Sequence, residues 1–501
     1  MSAMAALPPD GVAAQSILDE IAAMRAADHP THGGRLFAYV YDPGLADLDA
    51  LTAAAHALAS PVNGLDPTAF PSLLTMENAL VGAASTLLGG GRESTVVGNL
   101  TSGGTESLIL ALKSARDAHA DVPDPTLVLP GTAHPSFFKA AQYLRVRPVV
   151  VPISAATLRP SVSQIEAAIT DNTVLVACSA PAYPYGLVDP VAQIAAVAAS
   201  RAVRCHVDAC FGGWTLPYLR RLGIDVPPFD FSVPGVSSIS VDLHKYAYAP
   251  KGVSVLLHRS DDLRAPQYFA YAGWPGYTVV NPTITSTRSG GPIAAAYATL
   301  RHLGDSGYLR LASLTWQAVR TLAGAISTVD GLRLVAEPES TVVSFTSSDE
   351  GLDLFVLADE LASRGWHTQP QLALPPGSAA APEGLARSIH MTVTASVAGQ
   401  LRSFEADLTA AVSAARAQGP LVVDASLREL AAALTPEQLT LDTVAALAVG
   451  LGFALEATPG AATPLPARRA GINALVEAAA PPVREALFSA FLRLLQRPTY
   501  A

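Results

Sequence analysis

Ser240-Val241-Asp242-Leu243-His244-Lys245-Tyr246 is the stretch on which the reading of the fold turns. Its lysine follows a small and polar run at the end of a predicted strand, and the chain has only three others, Lys113, Lys139 and Lys251. An amine placed there reads as one that forms a Schiff base with a carbonyl. Two earlier stretches complete a set. Thr101-Ser102-Gly103-Gly104-Thr105-Glu106 precedes an apolar helix, so amides at a helix start and two hydroxyls can hold a phosphate, although such a turn alone more often only caps its helix. His206-Val207-Asp208-Ala209 ends a second predicted strand in a carboxylate. Phosphate turn, acid and lysine in this order point to pyridoxal 5'-phosphate (PLP), which needs an imine-forming lysine, an acid facing its pyridine nitrogen and a site for its phosphate.

Around these motifs short β-rich runs alternate with helical ones. Leu127 to Leu129, Val146 to Val151, Val174 to Cys178, Arg204 to Val207, Ser237 to Val241 and Val253 to His258 are predicted strands, and 105–119, 134–144, 161–169 and 189–202 predicted helices. That alternation predicts an α/β fold, a mostly parallel sheet covered on both faces. Ligands of such sheets bind beyond the carboxyl ends of the strands, so Asp208 and Lys245 point into one crevice.

Upstream, a helix is expected around Ile17 to Ala27 and another from Phe70 to about Leu88, with Gly33 to Tyr41 between them as a surface arm or a loop over a site. Downstream, one helix starts near Gly290 and a second spans Tyr308 to Ile326. Strands at Arg333 to Val335, Thr341 to Phe345 and His390 to Thr394, with helices at 353–363 and 397–416, predict a smaller α+β domain. A Pro/Ala/Thr stretch, Ala457 to Pro466, reads as a linker inside a helical extension whose last helix, 484–496, is amphipathic through Val483, Leu487, Phe491 and Leu494. The expected domains are an N-terminal segment (1–60), a large PLP-binding domain (61–315), a small domain (316–420) and the helical extension (421–501).

Composition narrows the function classes. The chain is 50% hydrophobic and 15% charged, with a formal charge of -10, so no basic stripe offers itself to nucleic acid or anionic membrane. No run of 18 or more strongly apolar residues is present, and the first 30 residues lack a signal-peptide pattern, which predicts a cytoplasmic protein with no membrane-spanning segment. Cys178, Cys205 and Cys210 have no paired spacing and are expected to be free thiols, and no metal site is expected.

At this level of detail the chain resembles the group II PLP-dependent decarboxylase family, and within it the sphingosine-1-phosphate lyase branch. The matching stretches are Thr101 to Ser107, His134 to Lys139, Ser179-Ala180-Pro181-Ala182-Tyr183-Pro184-Tyr185-Gly186, His206 to Gly213, Phe229 to Ser240, His244-Lys245-Tyr246 and Tyr248-Ala249-Pro250-Lys251-Gly252, covering roughly residues 30 to 415. The resemblance implies fold type I and a homodimer whose active sites are completed by the neighbouring subunit. It makes Lys245 the cofactor lysine, Asp208 the ring-nitrogen acid, His134 the ring-stacking residue, and Ser102, Gly103, Gly104 and Thr105 the phosphate turn, with Ser240 and His244 as further cofactor contacts. Tyr248 and Lys251 fall at the substrate end. Arg288, in Thr285 to Gly291, is implied to reach across the dimer to the cofactor phosphate.

Two stretches depart from the branch. Asn63-Gly64-Leu65-Asp66 stands where a histidine helps to bind substrate phosphate, and an aspartate repels what an imidazolium attracts. The segment Leu36 to Tyr41, with Tyr39 and Tyr41 as candidate substrate contacts, is bulkier than the branch pattern. The implied activity is cleavage of a Cα–Cβ bond in a β-hydroxy amine, possible phosphorylation of that small-molecule substrate left open. The alternatives are an L-amino acid decarboxylase using the same electron sink and a PLP-binding or interaction protein without turnover.

Overall fold

In the computed structural model the described residues are 7, 10–422, 425–453 and 466–496. Apart from Pro466, the expected linker Ala457 to Pro466 lies outside them. A seven-stranded sheet forms the body: β1 (Val97–Thr101), β2 (Thr126–Pro130), β3 (Arg147–Val151), β4 (Thr173–Ser179), β5 (Arg204–Asp208), β6 (Val236–Asp242) and β7 (Ser254–His258). Their order is β1-β7-β6-β5-β4-β2-β3, and only β7 runs antiparallel to its neighbours. The predicted strands all lie within one or two residues of these. β1, the helix Ala46–Ala59 and the helix Leu216–Arg221 are additional.

The sheet is apolar on both faces. β4 is buried along its whole length, with Val176 and Cys178 in one cluster and Leu175 and Ala177 in another. Helices Gly104–Asp117 and Ser136–Leu144 cover the second cluster with Leu108, Leu112 and Phe137; Val191–Ser200 covers the first with Ile194 and Ala195. Each fully buried aliphatic or aromatic side chain contributes about 1.5–3 kcal/mol. Because β1, β4, β5 and β6 point the same way, Thr101, Ser179, Asp208 and Asp242 emerge at a single edge.

Helix Gly290–Thr328 links this body to the smaller domain. Gly304, with φ 57 and ψ 179, breaks it, which is why the sequence reads as two helices. Beyond lies a four-stranded antiparallel sheet in the order 332–334, 342–347, 388–392, 369–371, covered by helices Leu354–Ser363 and Leu401–Gln418. The segment Gly33 to Tyr41 is not a surface arm, and Tyr39 and Tyr41 in it line a cavity. Phe37 is fully buried among Trp366 and Phe404, and its backbone is tied to both His367 and Thr392, because a large aromatic fills the gap between helix and sheet.

The helical extension has a small core of its own, including Leu439, Val444, Val483 and Leu494, and the amphipathic final helix, Pro481–Leu495, packs into that core. It docks through polar contacts. Arg387 pairs with both Asp353 and Glu477, Arg468 lies 3.0 Å from Glu360, and Asp359 accepts the amides of Arg469 and Ala470. No helix among the described residues is long and apolar enough to cross a membrane.

Replacing Phe37 by alanine is expected to cost about 3–5 kcal/mol, since cavity formation adds to lost transfer energy. Denaturant unfolding of Phe37→Ala and the parent chain measures it; a loss under 1 kcal/mol, by the same scale, would contradict the anchoring role.

Candidate active site

The strand ends surround a cavity of about 510 Å³. From β1 the chain turns through Ser102 and Gly103 into the helix that begins at Gly104, whose first amides have no intrahelical acceptor. Glu106 ties the turn down: its carboxylate accepts the Ser102 amide and hydroxyl at 2.6 and 2.7 Å and the Ile284 amide at 2.7 Å. Gly104 is glycine for want of room. A Cβ there would lie 2.8 Å from Cys210 Sγ and 3.1 Å from both Asp242 carboxylate oxygens.

Lys245 follows β6, and its Nζ lies 2.9 Å from Asp242 Oδ2. Burial works against the lysine charge, but Asp242 outweighs it and holds the ammonium above its ordinary pKa. Burial likewise disfavours the Asp242 carboxylate, yet Lys245, His244 and the Ser254 hydroxyl keep it below its ordinary value. His244 donates from Nδ1 to the Val253 carbonyl at 3.0 Å, leaving Nε2 to face Asp242 at 3.6 Å.

Asp208, 7% exposed, closes another side and accepts the Cys210 amide at 3.1 Å. Behind it His206 lies fully buried between Ser238 and Ser240, at 2.8 and 3.2 Å. Burial pushes His206 down to about 3, so a neutral ring meets Ser240, whose hydroxyl donates to Asp208 at 3.5 Å. His134 lines the cavity while its Nδ1 accepts the Ser136 amide at 3.2 Å. Enclosure lowers its pKa against the opposing pull of Asp208, which leaves the ring neutral near pH 7.

Tyr39, Tyr41, Tyr183, Phe211 and Lys251 form the remaining wall. Lys251 Nζ donates to the Tyr39 carbonyl at 3.0 Å and sits 5.0 Å from the Tyr41 ring centroid. Tyr39 adopts φ 66, an unusual conformation for a non-glycine residue. The Tyr183 hydroxyl donates to Gln369 at 2.7 Å, and its ring stacks on His390 at 4.4 Å, which burial holds at about 4.

Four expected site residues lie elsewhere. Ser240 is fully buried under Asp208 and does not line the cavity. Tyr248, with φ 58, turns inward beside Tyr246, where burial pushes its phenol up to about 12. Asp66 is exposed and accepts from the Thr68 amide and hydroxyl at 2.8 and 2.6 Å. Arg288 Nη2 pairs with Glu77 at 2.9 Å, and its Nη1 is buried without a partner in a separate cavity of about 420 Å³. Asp66 and Arg288 belong to paired segments: Asn63 bridges Ser289, and the Gly64 amide donates to the Arg288 carbonyl at 2.8 Å. Conversely, sequence reasoning passed over Asp242, Tyr183, Glu106 and Phe211. A carboxylate three residues before the lysine, itself ending a strand as Asp208 does, was the available signal for the first.

A buried carboxylate facing a lysine across a cavity, beside a turn stripped of Cβ atoms, fits PLP. Fold and site thus define a PLP-dependent enzyme of fold type I. The family model described as "Pyridoxal-dependent decarboxylase conserved domain" matches residues 15–348, and "Pyridoxal-dependent enzyme, C-terminal putative HTH domain" matches 425–494. Sphingosine-1-phosphate lyase of Dictyostelium discoideum is 35% identical over 405 residues, 80% of this chain and 73% of that protein; the enzyme of Arabidopsis thaliana is 36% identical over 72% of this chain and 64% of its own length. The solved sphingosine-1-phosphate lyase of Burkholderia pseudomallei superposes with a TM-score of 0.76 at 34% identity, covering 82% of this chain and 93% of that one. The chain belongs to the pyridoxal-dependent decarboxylase family, in its sphingosine-1-phosphate lyase branch, and is a PLP-dependent lyase.

Removing the Asp242 charge leaves Lys245 more readily deprotonated, so Asp242→Asn is expected to move the pH midpoint for covalent loading of PLP downward by about one unit or more. Stopped-flow mixing with PLP, with borohydride trapping and peptide mapping to Lys245, reads the midpoint. An unshifted midpoint would show that Asp242 does not set the lysine's proton.

Proposed function

We propose that this chain cleaves the Cα–Cβ bond of a β-hydroxy primary amine, releasing an aldehyde and a smaller amine, and that it accepts a phosphorylated substrate. The carrying observation is the cavity that joins Lys245 and Asp208 to a wall of Tyr39, Tyr41, Tyr183 and Lys251. When bound, PLP supplies an electron sink conjugated to the substrate amine. Lys245 anchors it covalently, and Asp208 holds the proton on the pyridine nitrogen. The neutral ring of His134 is a cavity wall able to stack on the cofactor without adding charge. Tyr183, braced by Gln369 and His390, presents a phenol to the substrate hydroxyl, while Lys251 offers a positive charge to an anionic group.

The family fold and an exposed apolar hairpin, formed by the antiparallel strands Phe269–Tyr271 and Val279–Asn281, favour a homodimer with composite sites. Phe269, Tyr271, Trp274 and Tyr277 stand exposed on this hairpin, in the same stretch of chain as Arg288. In this reading the unit of Asp66 and Arg288 serves the neighbouring subunit's site rather than its own. We further read residues 1–60 as an N-terminal segment, 61–315 as the PLP-binding domain, 316–420 as the small domain and 421–501 as a helical extension, in a cytoplasmic protein. Nucleic acid is not a partner in this reading: the extension carries six arginines against seven carboxylates, too few cations to neutralise a phosphate backbone.

Incubation with phosphorylated and unphosphorylated sphingoid bases, β-hydroxy amino acids and plain L-amino acids, following aldehyde and carbon dioxide separately, tests the activity. Aldehyde from a β-hydroxy amine is expected; carbon dioxide from an L-amino acid without any aldehyde would replace this reading with decarboxylation. Light scattering is expected to give a dimer, and Arg288→Ala to weaken PLP retention.

A further inference from the structure

A third cavity, of about 370 Å³, lies where three parts of the chain meet. His29 and Tyr39 come from the N-terminal segment, His367 and Thr368 from the small domain, and Arg469 and Phe488 from the helical extension. Tyr39 lines both this chamber and the Lys245 cavity. The His29 and His367 rings lie 4.1 Å apart. Burial, His29 and Arg469 all push the His367 imidazolium down, as expected where cationic groups face one another.

Neighbouring charges are matched, and this one is not. Arg468 pairs with Glu360, and Arg387 with Asp353 and Glu477, but among the described residues the half-buried Arg469 guanidinium has no ion pair. Asp359 is the carboxylate of the chamber, and its two oxygens already accept the backbone amides of Arg469 and Ala470 at 2.9 Å. A guanidinium and two imidazoles around one cavity suit an anion with several oxygens.

We propose that this chamber binds a phosphate-like anion between Arg469, His29 and His367. The anion is either the phosphate of the substrate, an option that rests on the activity proposed above, or a free effector. In both cases the helical extension contributes directly to a ligand site next to the catalytic cavity, which gives it a role beyond packing.

The test uses full-length protein loaded with PLP and reduced with borohydride, so that the cofactor's own phosphate site is filled. Inorganic phosphate titrated by calorimetry is expected to bind, to bind about tenfold or more weakly to Arg469→Ala, and to recover partly with Arg469→Lys. Unchanged thermal unfolding of both variants without phosphate separates this from lost docking of the extension. In the unreduced enzyme, a raised KM for a phosphorylated amine alone, with kcat preserved, assigns the chamber to substrate. Unaltered kinetics with weakened phosphate binding assigns it to an effector, and either result supports the site. No phosphate binding by the parent protein, or equal binding by Arg469→Ala, overturns it. Because the titration needs no turnover, its failure is distinct from failure of the proposed activity.

Discussion

A half-buried lysine in an enclosed cavity has to keep its charge compensated, and here one carboxylate does so. Asp242 is 2% exposed, pairs with Lys245, accepts the Ser254 hydroxyl and presses on Gly104. Isolating such charges in a protein interior costs several kcal/mol, so the elements carrying them are tightly constrained. Through this group the end of β6, the start of β7 and the glycine turn after β1 are held in register. The acid that holds the lysine thus also excludes a side chain from the turn that suits a phosphate, while Glu106 ties that turn's backbone.

Two side chains at strand ends were legible in the sequence, although Asp242, which ends β6, was passed over. Asp208 and Lys245 follow predicted strands, and a parallel sheet brings such ends together whatever the loops between them do. Alternation of apolar runs also carried the small domain and the break at Gly304, since glycine in a left-handed conformation interrupts a helical pattern visibly. The edge strand β1 was passed over because Val97-Gly98-Asn99-Leu100-Thr101 combines a glycine and an asparagine with few apolar residues.

Side-chain direction was not legible. Tyr248 and Lys251 stand three residues apart, yet a positive φ at Tyr248 sends its ring into the interior while Lys251 reaches the cavity. Ser240 shares a strand face with Asp242 but lies two residues deeper, where its hydroxyl donates to Asp208 at 3.5 Å and meets His206 instead of touching the cavity. Tyr183 was hidden for another reason: its bracing partners, Gln369 and His390, lie about 190–210 positions further along the chain, and only tertiary packing joins them.

The short run from Phe37 to Tyr41 joins two regions that a sequence presents as separate. Phe37 is locked in the small domain's core, whereas Tyr39 and Tyr41 stand in the catalytic cavity. Selection for a new substrate at these tyrosines consequently acts on a segment whose other end is fixed by packing, which limits insertions and deletions there. Changes of specificity are left to point substitutions, and divergence of the small domain's interior becomes a hidden source of change in the substrate cavity.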